Sequence, residues 1–491
     1  MTGRRSARSD AARAFSSEGR LTRRAFLART AALGVAASSL GGLLSACELA
    51  ARPSPSAVPS PFPGDDGTPP VVHPTPAKAT YGAMLELGAI APVALPSSLQ
   101  GLLDEVAGDA GIAVLGSGYS RHGTVRLTVT ADDPSLASQA YRLEIVPAAD
   151  GPAVTVRAGD EAGAYYALLS FAQLVVADGS THLVRAASIG DTPGFSRRGA
   201  ILDPYVLPDV GVTADSRALL LERIRFGVRH KLNFLDLVDR KPWPDLVRYC
   251  QAHHVELMNA VGYMDRLTVT PRVEVKRQLG ELFDAGTRTF SFGWDDIGAA
   301  NPEALARLHA GIFRDLYRYV RGRDAGVRVS AVLPPYGGVP GKHLVGSTNG
   351  EGERYLAVMR DLLPDDVLVF WTGDGGVFSS SVTKAGARAY ADAIGHEIGL
   401  WDNDTITFSR ARKPCTGRAA NLSEVVGTYM GNLAGEANWT GTDGEFAMLT
   451  SLMYAWNPTA YDAAAAGVAA ERILAAAAMP ASATARERAP V

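Results

Sequence analysis

From Ser196 to Asp462 the chain repeats one alternation: a short apolar run, then a longer stretch whose apolar positions recur every three or four residues. The runs are RGAILD, NFLDLV, ELMNAVG, TFSFGWDD, RVSAVLPP, VLVFWTG and IGLWDND, with GEANWT a weaker eighth. Between most of them lie SRALLLERIRFGVRH, PDLVRYCQAHH, VEVKRQLGELFDAG, PEALARLHAGIFRDLYRYV, ERYLAVMRDLL and AGARAYADAIG, which predict helices with one buried stripe. Strand and helix in regular alternation imply parallel strands joined by crossover helices. Eight such units predict a (β/α)8 barrel over residues 193–462. An open doubly wound sheet is the competitor, but no Gly-rich dinucleotide fingerprint follows any strand.

Upstream, GIAVLG, TVRLTVTA, YRLEIVPA and AVTVRAG read as short strands, and EAGAYYALLSFAQLVV as a helix. They predict a small α/β domain over residues 79–192. Downstream, AAAAGVAAERILAAAA predicts one helix followed by a loose tail, together 463–491. Residues 48–78 are rich in Pro and Ser without periodicity, so they bury too little apolar surface to order themselves and form an extended tether.

Composition changes this picture only at the ends. With 48 Lys+Arg against 51 Asp+Glu and 47% apolar residues, the chain has no basic excess, so no nucleic-acid partner is expected. Residues 1–47 carry paired Arg23 and Arg24, a modest Ala-rich apolar stretch and then Leu44-Ser45-Ala46-Cys47. That sequence resembles a twin-arginine export signal ending in a lipobox, which implies lipidation at Cys47 and a membrane-anchored, extracytoplasmic protein. Cys250 and Cys415 remain, and two unpaired thiols, at least one of them buried, are expected.

In a barrel of this kind the chemistry sits at the C-terminal strand ends. Those positions hold Asp203, Asp236, Asp239, Asp295, Asp296, Tyr336, Trp371, Thr372, Trp401, Asn403 and Asn438. Carboxylates move protons, amides bond hydroxyls and rings stack on the apolar face of a sugar, so a glycan or glycoconjugate is the expected partner. No His/Cys cluster with metal spacing occurs, and neither a metal nor a cofactor is expected. The sharpest feature is FSFGWDDIG, an apolar run ending in Asp295 and Asp296. Successive strand residues point to opposite faces, so adjacent carboxylates share one site only where the strand has ended and the chain turns. Two close carboxylates raise each other's proton affinity, which favours a general acid. The competing task, capping the next helix, falls instead to Asn301 before Pro302.

FSFGWDDIG resembles the signature of glycoside hydrolase family 84, the β-N-acetylglucosaminidases. RHKLNFLDL, VLVFWTGDGGVFS, GLWDND and SLMYAWNPTAYD resemble further segments of that family in the same order, and GDEAGAYYALLSFAQL resembles the domain that precedes the barrel in bacterial hexosaminidases. The resemblance spans roughly residues 140–462. It implies substrate-assisted catalysis, in which the sugar's own acetamido oxygen is the nucleophile. By this resemblance Asp295 orients the acetamido N–H, and Asp296 protonates the leaving oxygen and then activates water. Tyr336 bonds the acetamido group, Asn403 and Asn438 hold the intermediate and the hydroxyls, and Trp401 and Trp371 are walls.

Three segments depart from the family pattern. Leu202-Asp203-Pro204-Tyr205-Val206 keeps only Tyr205 and puts Asp203 where the family has a sugar-contacting glycine. Around Leu237–Trp243, Lys241 or Arg240 stands in for a family lysine, and after Asn403 only Asp404 is placed to replace a sugar-binding aspartate. These changes rewrite the grip on the sugar while leaving the acid pair intact. The alternative reading they motivate is a catalytically weak, carbohydrate-binding surface lipoprotein on the same barrel.

Overall fold

The computed structural model describes residues 71–116, 123–178, 181–202, 214–237, 241–262, 265–298, 301–347, 350–405, 412–433 and 442–478. Cys47, Asp203, Tyr205 and Asn438 lie outside these residues, as does the whole of GEANWT.

The first unit is a sheet of seven strands: β1 (Lys78–Leu87), β2 (Ala89–Ala94), β3 (Thr124–Thr130), β4 (Tyr141–Val146), β5 (Ala153–Ala158), β6 (Val175–Asp178) and β7 (Thr181–Asp191). Their order is β1-β7-β4-β5-β3-β2, with β6 also paired to β7. TVRLTVTA, YRLEIVPA and AVTVRAG form β3, β4 and β5. GIAVLG does not form a strand and contributes only a bridge from Val114 to Ile90. Four strands were not foreseen. In β1 the burial alternation is broken by a register shift between Tyr81 and Met84, which hides the period of two.

The helix Glu161–Gln173 is buried along nearly its whole length, from Gly163 to Phe171. One side packs on β4 and β5, and the other joins a core that includes Ala200, Leu202, Ile224, Val228 and Leu235 from the next unit. The Asp160 side chain accepts from Gly163 N at the helix start. A Cβ on Gly163 would lie 2.6 Å from Ala140 O, so the sheet approaches only because that side chain is absent.

The second unit is a closed parallel barrel. Its strands are β8 (Arg197–Leu202), β9 (Phe234–Leu237), β10 (Glu256–Val261), β11 (Thr289–Gly293), β12 (Arg328–Val332), β15 (Leu368–Trp371), β16 (Ile398–Asp402) and β17 (Thr428–Asn432). A small hairpin, β13 (Gly338–Val339) with β14 (His343–Leu344), follows β12. Seven expected runs are barrel strands. The eighth strand is not GEANWT but TYMGN, paired with β16 on one side and β8 on the other. It escapes an apolar-run search because its lumen positions include Thr428 and Asn432, which are polar.

The lumen is filled by Ile201, Phe234, Met258, Ala260, Val332, Phe370, Trp401 and Met430. Its N-terminal end is closed by charge. Glu256 holds Arg197 and Arg328, each at 2.9 Å, and accepts from Thr289 Oγ1 at 2.9 Å. Helices 214–229, 244–252, 272–284, 302–323, 351–362, 384–394 and 443–456 lie outside the strands. Between β16 and β17 the described residues carry only two short turns, Asn403–Thr405 and Leu422–Glu424. The expected C-terminal helix spans Ala463–Ala478.

Two of the sequence segments noted above hold the units together rather than forming a site. Lys231 of RHKLNFLDL is fully buried, with its ammonium 4.2 Å from the ring centre of Trp456, 3.0 Å from Tyr141 Oη and 3.5 Å from Asp191. Trp456, of SLMYAWNPTAYD, donates to the same Asp191 at 2.9 Å. Burial lowers the Lys231 pKa to about 8. Asn233 accepts from Arg198 N at 2.7 Å. Cys250 and Cys415 are both buried and unpaired, and burial pushes each thiol to about 12. Among the described residues no helix is long and apolar enough to cross a membrane, and no cluster of three metal-ligating side chains occurs.

Candidate active site

Along β11 the side chains of Phe290, Phe292 and, just beyond the strand, Trp294 enter the outer core, so Ser291, Gly293 and Asp295 face the lumen side. Trp294 N still donates to Val332 O at 2.8 Å, which carries the ladder one residue past the strand. Its ring stacks on His309, with centroids 4.5 Å apart and planes at 16°. Asp295 therefore emerges at the C-terminal mouth, 7% exposed. An extended residue at 296 would point outward again. Instead Asp296 is left-handed, with φ +60°. That conformation costs a non-glycine residue roughly 1–3 kcal/mol, and here it ends the alternation.

Tyr336 meets the pair from the next strand. It leaves β12 through Pro334 and Pro335, joins the lumen cluster and donates from Oη to Asp296 Oδ1 at 2.8 Å. Its carbonyl accepts from Thr372 N at 2.9 Å, and Pro335 O accepts from Tyr390 Oη at 2.8 Å, so the turn is held from two sides. The following helix begins at Pro302 after Asn301, as expected, although the Asn301 side chain makes no cap bond. Neither aspartate is at that cap.

The two tryptophans part company. Trp401 faces the lumen, edge-on to Phe370 at 6.2 Å and 82°, and shares a cluster with Tyr336. Trp371 does not face the mouth. It is fully buried outside the barrel, stacks on Tyr390 at 6.0 Å and donates to Gly338 O at 2.9 Å. A sugar wall is therefore not its place; it packs the helix Lys384–Ile394 and the hairpin against β15.

Asn403 is the first residue past β16 and 7% exposed. Its Nδ2 donates to Val377 O at 2.9 Å, and its Oδ1 accepts from Asn432 Nδ2 at 2.8 Å. Asn432 is the last residue of β17 and was missed with that strand. Once TYMGN is recognised as the eighth strand, Asn432 is its C-terminal residue, where site groups are sought. Asp404 is committed elsewhere: its carboxylate pairs with Lys413 at 2.7 Å and lies 3.5 Å from Arg418. The sugar-gripping role expected of Asp404 is opposed by those cations. Lys241 is exposed between β9 and the helix Pro244–Ala252, close to Trp243, over whose ring Arg217 sits at 5.1 Å. Asp236 is buried on the lumen side of β9, level with Ile201 of β8 and Met258 of β10.

His309, directly behind Trp294, is fully buried and bonds Tyr355 Oη at 2.7 Å through Nδ1. Burial lowers its pKa to about 3, from an ordinary 6.5. The folded state thus keeps His309 neutral where the unfolded chain binds a proton, and stability falls as pH drops from about 6.5 toward 3. At about 1.4 kcal/mol per unit, His309→Phe is expected to flatten the urea-denaturation stability of the protein between pH 6.5 and pH 5 by roughly 2 kcal/mol relative to wild type. Parallel pH curves for the two proteins would show that the folded state protonates His309 freely.

The family described as beta-N-acetylglucosaminidase matches residues 241–487, and domain 2 of glycosyl hydrolase family 20 matches residues 69–192. Among solved structures, CpGH84B superimposes with a TM-score of 0.64 at 19% identity, over 83% of this chain and 74% of its own. The chitobiase of Flavobacterium johnsoniae gives 0.56 at 13%, over 82% and 72%. A beta-N-acetylhexosaminidase from Bacteroides fragilis gives 0.54 at 14%, over 79% and 91%. At these identities the likeness is one of fold: an α/β domain followed by an eight-stranded barrel. The first match begins at residue 241, so β8 and β9 lie ahead of it, while Lys241 and the helix Pro244–Ala252 lie inside it.

Proposed function

The chain belongs to the beta-N-acetylglucosaminidase family and is a glycoside hydrolase, and from that premise we propose that it removes terminal β-linked N-acetylhexosamine with retention of configuration, using the substrate's acetamido group as nucleophile. The observation that carries this reading is the left-handed turn at Asp296, which sets two successive carboxylates at one barrel mouth with Tyr336 bonded to the second.

The chemistry follows from what each group can do there. Asp295 accepts a hydrogen bond from the acetamido N–H, which raises electron density on the acetamido oxygen as it attacks the anomeric carbon. A cyclic oxazoline-like intermediate results, and the protein needs no nucleophile of its own. Asp296 gives a proton to the departing oxygen, then takes one from the water that opens the ring from the same face. Two successive inversions leave the configuration retained. Tyr336 holds Asp296 and borders the acetamido group. Asn403 and Asn432 offer amides to hydroxyls, and Trp401 closes the floor. Asn438, Asp203, Tyr205 and Lys241 are proposed as further sugar contacts. Export by the twin-arginine route and lipidation at Cys47 would place the enzyme outside the cytoplasm, on a tether of about thirty residues.

The test is direct. Purified protein is offered aryl β-N-acetylglucosaminide and β-N-acetylgalactosaminide, with the anomer of the first-formed sugar read by NMR. Turnover with the β anomer released first, and inhibition by a thiazoline mimic of the oxazoline, are expected. No turnover of either glycoside, together with no thiazoline binding by calorimetry, sinks the proposal; thiazoline-independent glycan binding would point to a carbohydrate-binding protein.

A further inference from the structure

The aim of Asn403 is set from outside the barrel. In β16, Trp401 faces the lumen, while Leu400 and Asp402 face the outer side. Asp402 is 1% exposed and receives a forked pair from Arg418: Nε to Oδ2 at 2.7 Å, and Nη2 to Oδ1. Tyr429 Oη, from β17, donates to the same Oδ2 at 2.8 Å. The Arg418 side chain is 2% exposed, and its third nitrogen, Nη1, lies 3.5 Å from Asp404 Oδ2. Asp404 N also donates to Asp402 Oδ1 at 3.0 Å. Thr405 Oγ1 then ties the Asp402 and Asn432 carbonyls together, at 2.8 and 3.0 Å.

One guanidinium thus holds the residues on both sides of Asn403. With Asp402 and Asp404 both drawn to Arg418, Asn403 is left between them at the mouth, bridging Val377 O and Asn432. Two charges this deeply buried are not explained by stability, because their desolvation opposes their attraction, and apolar replacements of such pairs are often neutral or better. What a forked pair supplies is direction, since both nitrogens must be satisfied in one plane.

We infer that Arg418 is a positioning residue for sugar binding: its forked bond to Asp402, backed by Asp404, fixes the angle at which Asn403 and Asn432 present their amides to the substrate. The inference rests on the proposed reading of Asn403 as a sugar-binding group. Arg418 touches no substrate; it acts through Asn403.

The test is a double-mutant cycle between Arg418→Lys and Asn403→Ala, read in kcat/KM with an aryl β-N-acetylhexosaminide and in calorimetric Kd for the thiazoline mimic. Lysine keeps the charge and loses the fork. Arg418→Lys is expected to lower kcat/KM about tenfold, mostly through KM, and to add nothing once Asn403 is alanine. Additive losses in the two backgrounds, or full activity in a folded Arg418→Lys protein, overturn the inference. Tyr429→Phe removes only the third bond to Asp402 and enters the same cycle, so a failure of Arg418→Lys to fold leaves the question answerable: coupling to Asn403 supports, additivity overturns. A wild-type protein that neither cleaves the glycosides nor binds the mimic refutes the underlying reading, whereas an active wild type with an additive cycle refutes only the role of Arg418.

Discussion

Asp296→Asn is expected to lower kcat/KM for a β-N-acetylhexosaminide with an alcohol leaving group by about 10²–10⁴-fold, the usual worth of a positioned general acid and base. In barrier terms that is roughly 3–5 kcal/mol. The loss shrinks as the leaving group improves, because a phenolate of low basicity departs without a proton. With the best leaving groups the second half-reaction limits the rate. Asparagine cannot take a proton from water there, so a burst of phenol precedes a slow steady state. A loss that is the same for all leaving groups would contradict the assignment of proton transfer to Asp296. The Tyr336 bond makes the substitution a fair one: asparagine retains an oxygen that can accept from Tyr336 Oη, so the turn at φ +60° is not undone by it.

Asp295→Asn is expected to behave differently, which is what separates the two roles. In the proposed mechanism its carboxylate acts on the acetamido group and not on the leaving oxygen. The loss in kcat, again about 10²–10³-fold by analogy with removal of one charge-stabilising partner in a transition state, is expected to be equal across leaving groups. Binding of the thiazoline mimic falls with it, whereas in Asp296→Asn that binding is largely kept. A leaving-group dependence in Asp295→Asn, with unchanged binding of the mimic, would exchange the two assignments. Both variants stand on the same short segment, and Asp295 is 7% exposed at the mouth rather than packed in the core. Folding of each is checked by circular dichroism before rates are compared.

Much of the architecture was legible because it rests on local pattern. Seven barrel strands, their helices, the helix at Glu161–Gln173 and the start of the helix at Pro302 follow from apolar period, acidic or proline-bearing first turns, and length. The failures have specific causes. TYMGN was passed over because a strand whose lumen positions are Thr and Asn does not read as apolar, and Asn432 was lost with it. Trp371 and Trp401 each stand at or near the end of a strand, yet one is packed outside the barrel and the other lines its lumen. Strands buried on both faces carry no alternation from which that parity can be read.

The segments RHKLNFLDL and SLMYAWNPTAYD mark the other limit. Their Lys231 and Trp456 meet across Asp191, and Asn233 braces Arg198, so residues that stand out in the sequence serve the seam between the two units. Arg418, which holds Asp402 sixteen positions away, belongs to none of the family-like segments.

By itself the sequence determined seven barrel strands with their helices and the covalent neighbourhood of Asp295 and Asp296, since these are properties of short stretches of chain. The tertiary structure alone decided how the residues near the mouth are disposed: the left-handed turn at Asp296, the approach of Tyr336 to it, the meeting of Asn403 with Asn432, and the grip of Arg418 on the residues flanking Asn403. The physical reason is that strand parity, barrel closure and buried ion pairing are settled by packing between segments far apart in the chain.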